Sequence, residues 1–354
     1  METILAAEYR QRCHPLEDSS QVAAVRRAAV DLCMHLGFDE TAAGEVAIVV
    51  TEAATNILKH AGQGEIVLRP LAGRGTHGIE ILALDSGPGM ASVSASMADG
   101  LSTAGSYGVG LGAMRRLSTE FDIYSAPGRG TAIMMALWPR QSAASAATPA
   151  EAARDAPSLR WGAVCLPMHG EHLSGDSWVL AHDATSATVM VADGLGHGPL
   201  AAQASELATA TVAQAPDLPA GTLLEDMHAA LRSTRGAAAA VVRIDMLDDS
   251  LAFAGVGNIA AHLFAGGERR QMVSHNGIVG SNLRKVQVFD APWGDDALLI
   301  LHSDGITSRW NLDDYPGLAP CHPAVVAGVL YRDFSRGRDD VTVLALRDNR
   351  GWQP

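Results

Sequence analysis

Between residues 41 and 61 the apolar side chains recur at helical spacing. Val46, Val49, Ala53, Ile57 and Ala61 fall on one face. Residues 21–36 repeat the pattern. Around these two helices the period shortens. Apolar runs at 4–9, 65–70, 78–85, 122–125 and 131–137 predict strands, and SAPGRG between the last two is a turn signal. A further helix is expected over 111–119. Helices then fall on one face of a largely antiparallel sheet, an α+β two-layer sandwich. After residue 158 the chain reads differently. Strands are predicted at 162–167, 177–182, 187–192, 238–245, 250–256, 260–264, 296–302 and 341–345, with helices over 199–213 and 221–231. Many strands and one helix pair suggest a β-sandwich flanked by helices.

The two patterns are separated by RQSAASAATPAEAARDAPS, residues 140–158, which holds no bulky apolar residue. It reads as a linker, with an Ala-rich surface helix as the alternative. The expected division is therefore residues 1–139, a linker at 140–156, and residues 157–349. A chain of 354 residues suits two domains. Its 26 basic and 39 acidic residues give a net charge of −13. That argues against nucleic acid or an anionic membrane as partner, but leaves open nucleotide binding through backbone amides and a metal ion. Cys13, Cys33, Cys165 and Cys321 stand far apart, as reduced thiols in a reducing compartment would. No signal peptide or membrane-length apolar run is expected, which points to the cytoplasm.

Candidate chemistry begins in TEAATNILKHAG, residues 51–62. Glu52, Asn56 and His60 lie one turn apart, in a stripe beside the apolar face. Asn is a poor helix former, so its place here asks for a reason. DSGPG follows, with Asp85, Gly87 and Gly89 at the end of a strand. An Asp at such a turn can accept a hydrogen bond from an exocyclic amine. GSYGVGLGAMRRL then leads Gly105, Gly108, Gly110 and Gly112 into a helix, offering bare N–H groups to phosphates. GRGTAIMM places Gly128, Gly130 and Thr131 at the start of a late strand.

One glycine-rich loop is a weak signal; these four pieces in this order are specific. They resemble the Bergerat-type ATP-binding fold shared by gyrase and histidine kinases. Within it, EAATNILKHAGQGEI, DSGPGM and DGLSTAGSYGVGLGAMRRLSTEFDI look most like the anti-sigma-factor serine kinases, especially the stressosome switch kinase. The resemblance implies that Asn56 ligates Mg²⁺ on the ATP phosphates and that Glu52 accepts the proton of an attacking serine hydroxyl. It implies that Asp85 reads adenine while the glycines and Thr131 complete the pocket. Lys59 and His60 carry no assigned role. No segment presents a phosphoacceptor His as histidine kinases do.

The second half places four carboxylates at strand ends: Asp176 in SGDSW, Asp193-Gly194 in MVADGLGHG, Asp304 in LILHSDGI, and Asp339-Asp340 in RDDVTVLAL. Gathering them without cations is expensive, and an all-oxygen set suits Mg²⁺ or Mn²⁺ rather than zinc. The set resembles the metal-dependent phosphatases of the PPM class. ADGLGHGPLAAQAS, RGAAAAVVRID and GVGNIAAHLF are similar to its bacterial branch of sporulation and stressosome feedback phosphatases. The resemblance implies that Asp193 bridges two metals with the Gly194 carbonyl on one. Asp176, Asp304 and Asp339 would complete the shells, and hydrolysis would need no covalent phosphoenzyme. Asp340 is expected behind the ligands, and His197 either donates to the leaving oxygen or packs. The basic phosphate-binding residue of eukaryotic relatives has no counterpart here; Arg160 is near in sequence but unassigned.

Together the resemblances imply a bifunctional partner-switching regulator using ATP, Mg²⁺ and Mn²⁺. Its expected partners are STAS-domain antagonist or stressosome proteins, with a downstream phosphatase or sigma-factor regulator beyond them. The rival reading is a nucleotide-bound docking switch that does not transfer phosphate, with only the phosphatase half enzymatic. Such a switch would keep Asn56, Asp85 and the glycines; Glu52 favours a kinase.

Overall fold

The structure, a computed structural model, describes residues 1–73, 76–97, 110–139, 159–283 and 285–349. The expected linker, Gly105 and Gly108 lie outside them. The chain forms two compact units, each discontinuous in sequence. A β-sandwich unit comprises Met1–Tyr9, Ala156–Trp310 and Asp333–Pro354; a single-sheet unit comprises Arg10–Asp155 and Asn311–Arg332.

The single-sheet unit has five antiparallel strands. They are β2 (Arg12–Leu16), β3 (Gly64–Gly73), β4 (Thr76–Asp85), β5 (Glu120–Ser125) and β6 (Thr131–Leu137), ordered β2-β3-β4-β6-β5. Helices α1 (Ser19–His35) and α2 (Glu40–His60) cover one face. The short helices α3 (Val93–Met97) and α4 (Gly110–Leu117) precede β5. Asp18 caps α1, accepting from the Ser20 N–H at 2.8 Å, and Asp39 caps α2, accepting from Ala42 at 2.8 Å. These caps satisfy amides that the first turn leaves without partners. The apolar stripe of α2 then buries Val46, Val49, Ala53 and Ile57 against Ile66, Leu68, Ile81 and Met135 of the sheet. Ala61, expected on that stripe, is instead the C-cap.

β2 was not legible as a strand. RCHPL lacks clean alternation and contains Pro15, which a strand tolerates at a sheet edge; β2 is such an edge. The strand expected at 4–9 forms as β1 (Glu2–Leu5), but it joins the other unit.

The β-sandwich unit contains β1, β7 (Leu159–Leu166), β8 (Asp176–His182), β9 (Ser186–Gly194), β10 (Ala237–Asp245), β11 (Ser250–Val256) and β12 (Ala260–Ala265). It adds β13 (Glu268–Met272), β14 (Val288–Pro292), β15 (Leu298–His302) and β16 (Val341–Asp348). One sheet runs β1-β8-β9-β10-β11-β14 and the other β13-β12-β15-β16-β7. The rings of Trp161 on β7 and Trp178 on β8 lie 5.1 Å apart and join the two sheets. Helices α5 (Pro199–Gln214) and α6 (Ala220–Ala230) pack Ala204, Ala208, Leu223 and Met227 on Val179, Met190 and Val241 of the first sheet.

The observed bounds differ from the linear division at two places. Residues 1–9 belong with the sandwich because β1 pairs with β8, placing Glu2 opposite His182. Residues 311–332 belong with the single sheet. They include most of helix α7 (Pro323–Phe334), where the sequence predicts no element and the linear division places residues 157–349 together. No described helix is long and apolar enough to cross a membrane.

Candidate functional sites

In the single-sheet unit, α2 carries Glu52 and Asn56, both half-buried, one turn apart. The first residue of α4 sits against both. A Cβ at Gly110 would lie 2.8 Å from Glu52 Oε2 and 3.4 Å from Asn56 Nδ2. The carboxylate and the amide therefore converge on a helix N-terminus. Gly112, two residues further into α4, is buried. His60 and Lys59 are exposed.

Asp85 ends β4 opposite Thr131 of β6. Its Oδ1 accepts the Gly87 N–H at 2.9 Å. Burial pushes this carboxyl up, while the Gly87 N–H and the Arg332 charge work against that. The turn after Asp85 packs tightly on the turn before Thr131. Gly89 (φ +68°) and Gly130 (φ +65°) are left-handed, and a Cβ on either would stand 2.0 Å from a backbone oxygen, of Ala126 and Asp85 respectively. No other residue fits there. Gly87 touches Ala61 at the end of α2. The Thr131 hydroxyl pairs with Ser125 Oγ at 3.0 Å. Glu52, Asn56, Gly110 and Gly112 thus gather around the start of α4. Asp85, Gly87, Gly89 and Thr131 gather at the ends of β4 and β6.

In the sandwich unit, Asp176 and Asp193 are direct partners across β8 and β9. Like charges in that position repel. Asp304 follows β15 and Asp339 precedes β16, at one end of the second sheet. Burial first, then Asp193, pushes the Asp176 carboxyl well up. Burial and then Asp304, Asp339 and Asp340 push Asp193 up to about 7. Asp176 Oδ2 is buried without a hydrogen-bond partner. An orphaned oxygen among four carboxylates fits a divalent cation. Among the described residues no three acidic or His side chains close on a single point.

Gly194 leaves room for the start of α5: a Cβ there would meet the Ala201 carbonyl at 2.1 Å. Asp340 is buried and spoken for. It accepts the Met168 N–H at 2.8 Å and the Gly175 N–H at 2.9 Å, which fixes the loop ahead of Asp176. Asn258 donates to Asp304 at 2.7 Å. His197 is exposed, with Nδ1 paired to Glu171 at 2.9 Å. Arg160 pairs in register with Arg347 and donates to Asn349 at 3.1 Å. It stands at the far end of β7 from the carboxylates, so it serves the sheet. Sequence reasoning missed Arg235. Its guanidinium lies by the loop after Asp193, where a Cβ at Gly196 would meet Nη1 at 3.0 Å. RGAAAAVVRID opens on this residue, but nothing linear ties it to Asp193; the β9–β10 pairing does.

A pH dependence follows for the metal-free protein. A carboxyl raised to about 7 when folded, against about 3.9 unfolded, binds more protons in the native state, so stability falls as pH rises between those values. A cation relieves this only where the carboxylates are ionised. Adding Mn²⁺ is therefore expected to raise the thermal midpoint more at pH 8 than at pH 5.5. Scanning calorimetry with EDTA as reference checks this, and an equal rise at both values refutes it.

Comparison with known proteins bears on both sites. Residues 16–137 match the histidine kinase-like ATPase domain family, and residues 183–348 match the stage II sporulation protein E (SpoIIE) family. The serine/threonine-protein kinase RsbT of Bacillus subtilis (strain 168) is 35% identical over 130 residues, 37% of this chain and 98% of that protein. The phosphoserine phosphatase RsbX of the same organism is 26% identical over 142 residues, 40% of this chain and 71% of that protein. Among solved structures, a chain from work on the bacterial stressosome as a modular system adapted to secondary-messenger control is 27% identical. It covers 54% of this chain and 100% of its own length, with a TM-score of 0.51.

Proposed function

We infer function from one premise: through its single-sheet unit the chain belongs to the family of the serine/threonine kinase RsbT, and its sandwich unit carries a SpoIIE-type phosphatase domain. The protein is a partner-switching regulator that both places and removes phosphate on protein serine. Its substrates in this reading are STAS-domain or stressosome proteins, and its place is the cytoplasm.

In the kinase reaction Glu52 accepts the proton of the attacking serine hydroxyl as the new O–P bond forms and ADP leaves. Asn56 and the α4 N-terminus hold the phosphates in line, and Asp85 accepts from the adenine amine. In the phosphatase reaction Asp176, Asp193, Asp304 and Asp339 would hold Mg²⁺ or Mn²⁺. Such ions supply an acidified water and offset phosphate charge when bound. Asp340 keeps the Asp176 loop in place, and Arg235 receives the incoming phosphate. The observation that carries the reading is the opposition of Asp176 and Asp193, with the Asp176 oxygen left orphaned. On the kinase side its counterpart is Glu52 against Gly110.

The test uses the full chain with radiolabelled ATP, Mg²⁺ and a STAS-domain protein. Label is expected on a partner serine, then released on adding Mn²⁺, with release blocked by EDTA. Stable partner binding without label supports the docking switch instead. Label that Mn²⁺ does not release removes the phosphatase reading.

A further inference from the structure

The nucleotide pocket as described so far uses residues up to Thr131. One more side chain reaches it, from the segment that lies between Asp304 and Asp339 in the sequence. Arg332, near the end of α7, belongs to the single-sheet unit. Its Nη1 donates to the carbonyl of Asp85 at 2.8 Å and of Thr131 at 3.2 Å. Its Nη2 donates to the carbonyl of Arg129 at 2.7 Å. One guanidinium thus ties the turn after β4 to the turn before β6, the two turns that Gly89 and Gly130 already press together. We propose that Arg332 is a positioning residue of the nucleotide site: it holds Asp85 in the one pose that reads adenine, and so sets selectivity for ATP over GTP.

The segment that delivers Arg332 is well anchored in its unit. Asp122 accepts the His322 N–H. Tyr315 packs with Tyr124, and the Arg129 guanidinium lies 4.7 Å from the Tyr315 ring centroid. Gly328 lets α7 settle on Leu82 and Leu84, where a Cβ would come within 2.9 Å. Tyr331 donates to Glu65 at 3.3 Å. Arg332 therefore arrives with a fixed backbone.

The chemistry asks for this residue type. Three carbonyls are met by one planar fork of N–H donors, which a lysine ammonium on a flexible stem cannot reproduce. Adenine presents an exocyclic amine, a donor, to Asp85. Guanine presents a carbonyl at the same place, so acceptor would face acceptor. Discrimination of this kind rests on an acceptor held still, because a mobile Asp85 could turn away from the guanine oxygen.

The proposal rests on the reading of this unit as an ATP site, and its test keeps the two apart. Full-length wild type, R332A and R332K are titrated with ATP and with GTP by calorimetry in Mg²⁺, after circular dichroism confirms folding. R332A is expected to weaken ATP by roughly 10–100-fold, the scale of losing hydrogen bonds to a charged group, and GTP by less than about threefold. R332K is expected to fall between, with the ATP-to-GTP ratio still reduced. It carries the test alone if R332A does not fold. Equal weakening of both nucleotides marks Arg332 as merely structural and overturns the proposal, as does an unchanged ratio in both variants. If wild type binds neither nucleotide, the ATP reading falls and the proposal with it. If wild type prefers ATP and the variants keep that preference, only the proposal falls.

Discussion

Replacing Asp193 with alanine is expected to abolish phosphoserine hydrolysis at every Mn²⁺ concentration. Asp193 faces Asp176 directly across β8 and β9 and interacts with Asp304, Asp339 and Asp340. In the proposed site Asp193 bears on Asp176 as well as on Asp304 and Asp339, so its loss is expected to undo the whole oxygen set. Asp339 is exposed at the edge of the group. Asp339→Ala is therefore expected to recover part of its activity in excess Mn²⁺. The same change at Asp193 has an opposite effect on stability. At pH 8 it removes an ionised carboxylate that burial and its acidic neighbours disfavour, worth on the order of 1 kcal/mol. The metal-free D193A protein is expected to melt about 2–4 °C higher than metal-free wild type. Release of phosphate from a phosphoserine protein, with Mn²⁺ varied and EDTA as control, checks the first part; calorimetry checks the second. Hydrolysis surviving in D193A, or persisting in EDTA, would rule out the cation-dependent site. Inactivity with a lowered melting point would mean that Asp193 supports the fold instead.

The expected stability gain bears on how such a site becomes legible. A carboxylate that the fold would be better without is present for chemistry, and sequence patterns carry that message when it repeats. Asp176, Asp193, Asp304 and Asp339 each end or begin an apolar strand beside Gly or Asp, so the set could be seen before the strands were paired. Glu52 and Asn56 were visible for a similar reason: one turn apart on a helix, they sit beside its buried face. The parts that escaped share a different property. β1 reads as a strand close to its observed place, whereas residues 311–332, with helix α7, carry no predicted element; each packs in the unit that its neighbours in sequence do not. Nothing in a strand's own alternation says which sheet it will join. Arg235 and Arg332 escaped because their places are made by register and by packing. Arg235 is brought beside the Asp193 loop by the β9–β10 pairing. Arg332 meets Asp85 across a large separation in sequence, through three backbone carbonyls that no side-chain motif encodes. Arg160, which the sequence leaves unassigned, shows the converse, being close in sequence to Asp176 and far along its strand from the carboxylates.

Because residues 311–332 belong to the single-sheet unit, kinase activity is expected of the whole chain rather than of residues 1–139. A fragment ending at 139 would lack Arg332 and would uncover Leu82 and Leu84 where Gly328 rests. In the full chain, Glu52→Ala is expected to leave ATP affinity within about threefold of wild type. Phosphate transfer to serine should fall by ~10²–10⁴-fold, the usual contribution of a positioned base. Glu52 and Asn56 both face Gly110, and in the proposed reaction they do different work there. The amide oxygen of Asn56 is a neutral ligand suited to a hard cation, and a carboxylate beside it is free to take a proton. Removing Glu52 takes away the acceptor and leaves the phosphate cradle intact, so binding and chemistry should separate. Glu52→Gln is the sharper variant, since it keeps the volume beside α4 and deletes only the basicity. Single-turnover transfer from labelled ATP to a STAS-domain protein gives the rate, and calorimetry gives the affinity. Transfer at the wild-type rate in Glu52→Gln would make Glu52 a structural side chain and return the single-sheet unit to the docking-switch reading. Loss of ATP affinity in step with the rate would place Glu52 in binding rather than in proton transfer.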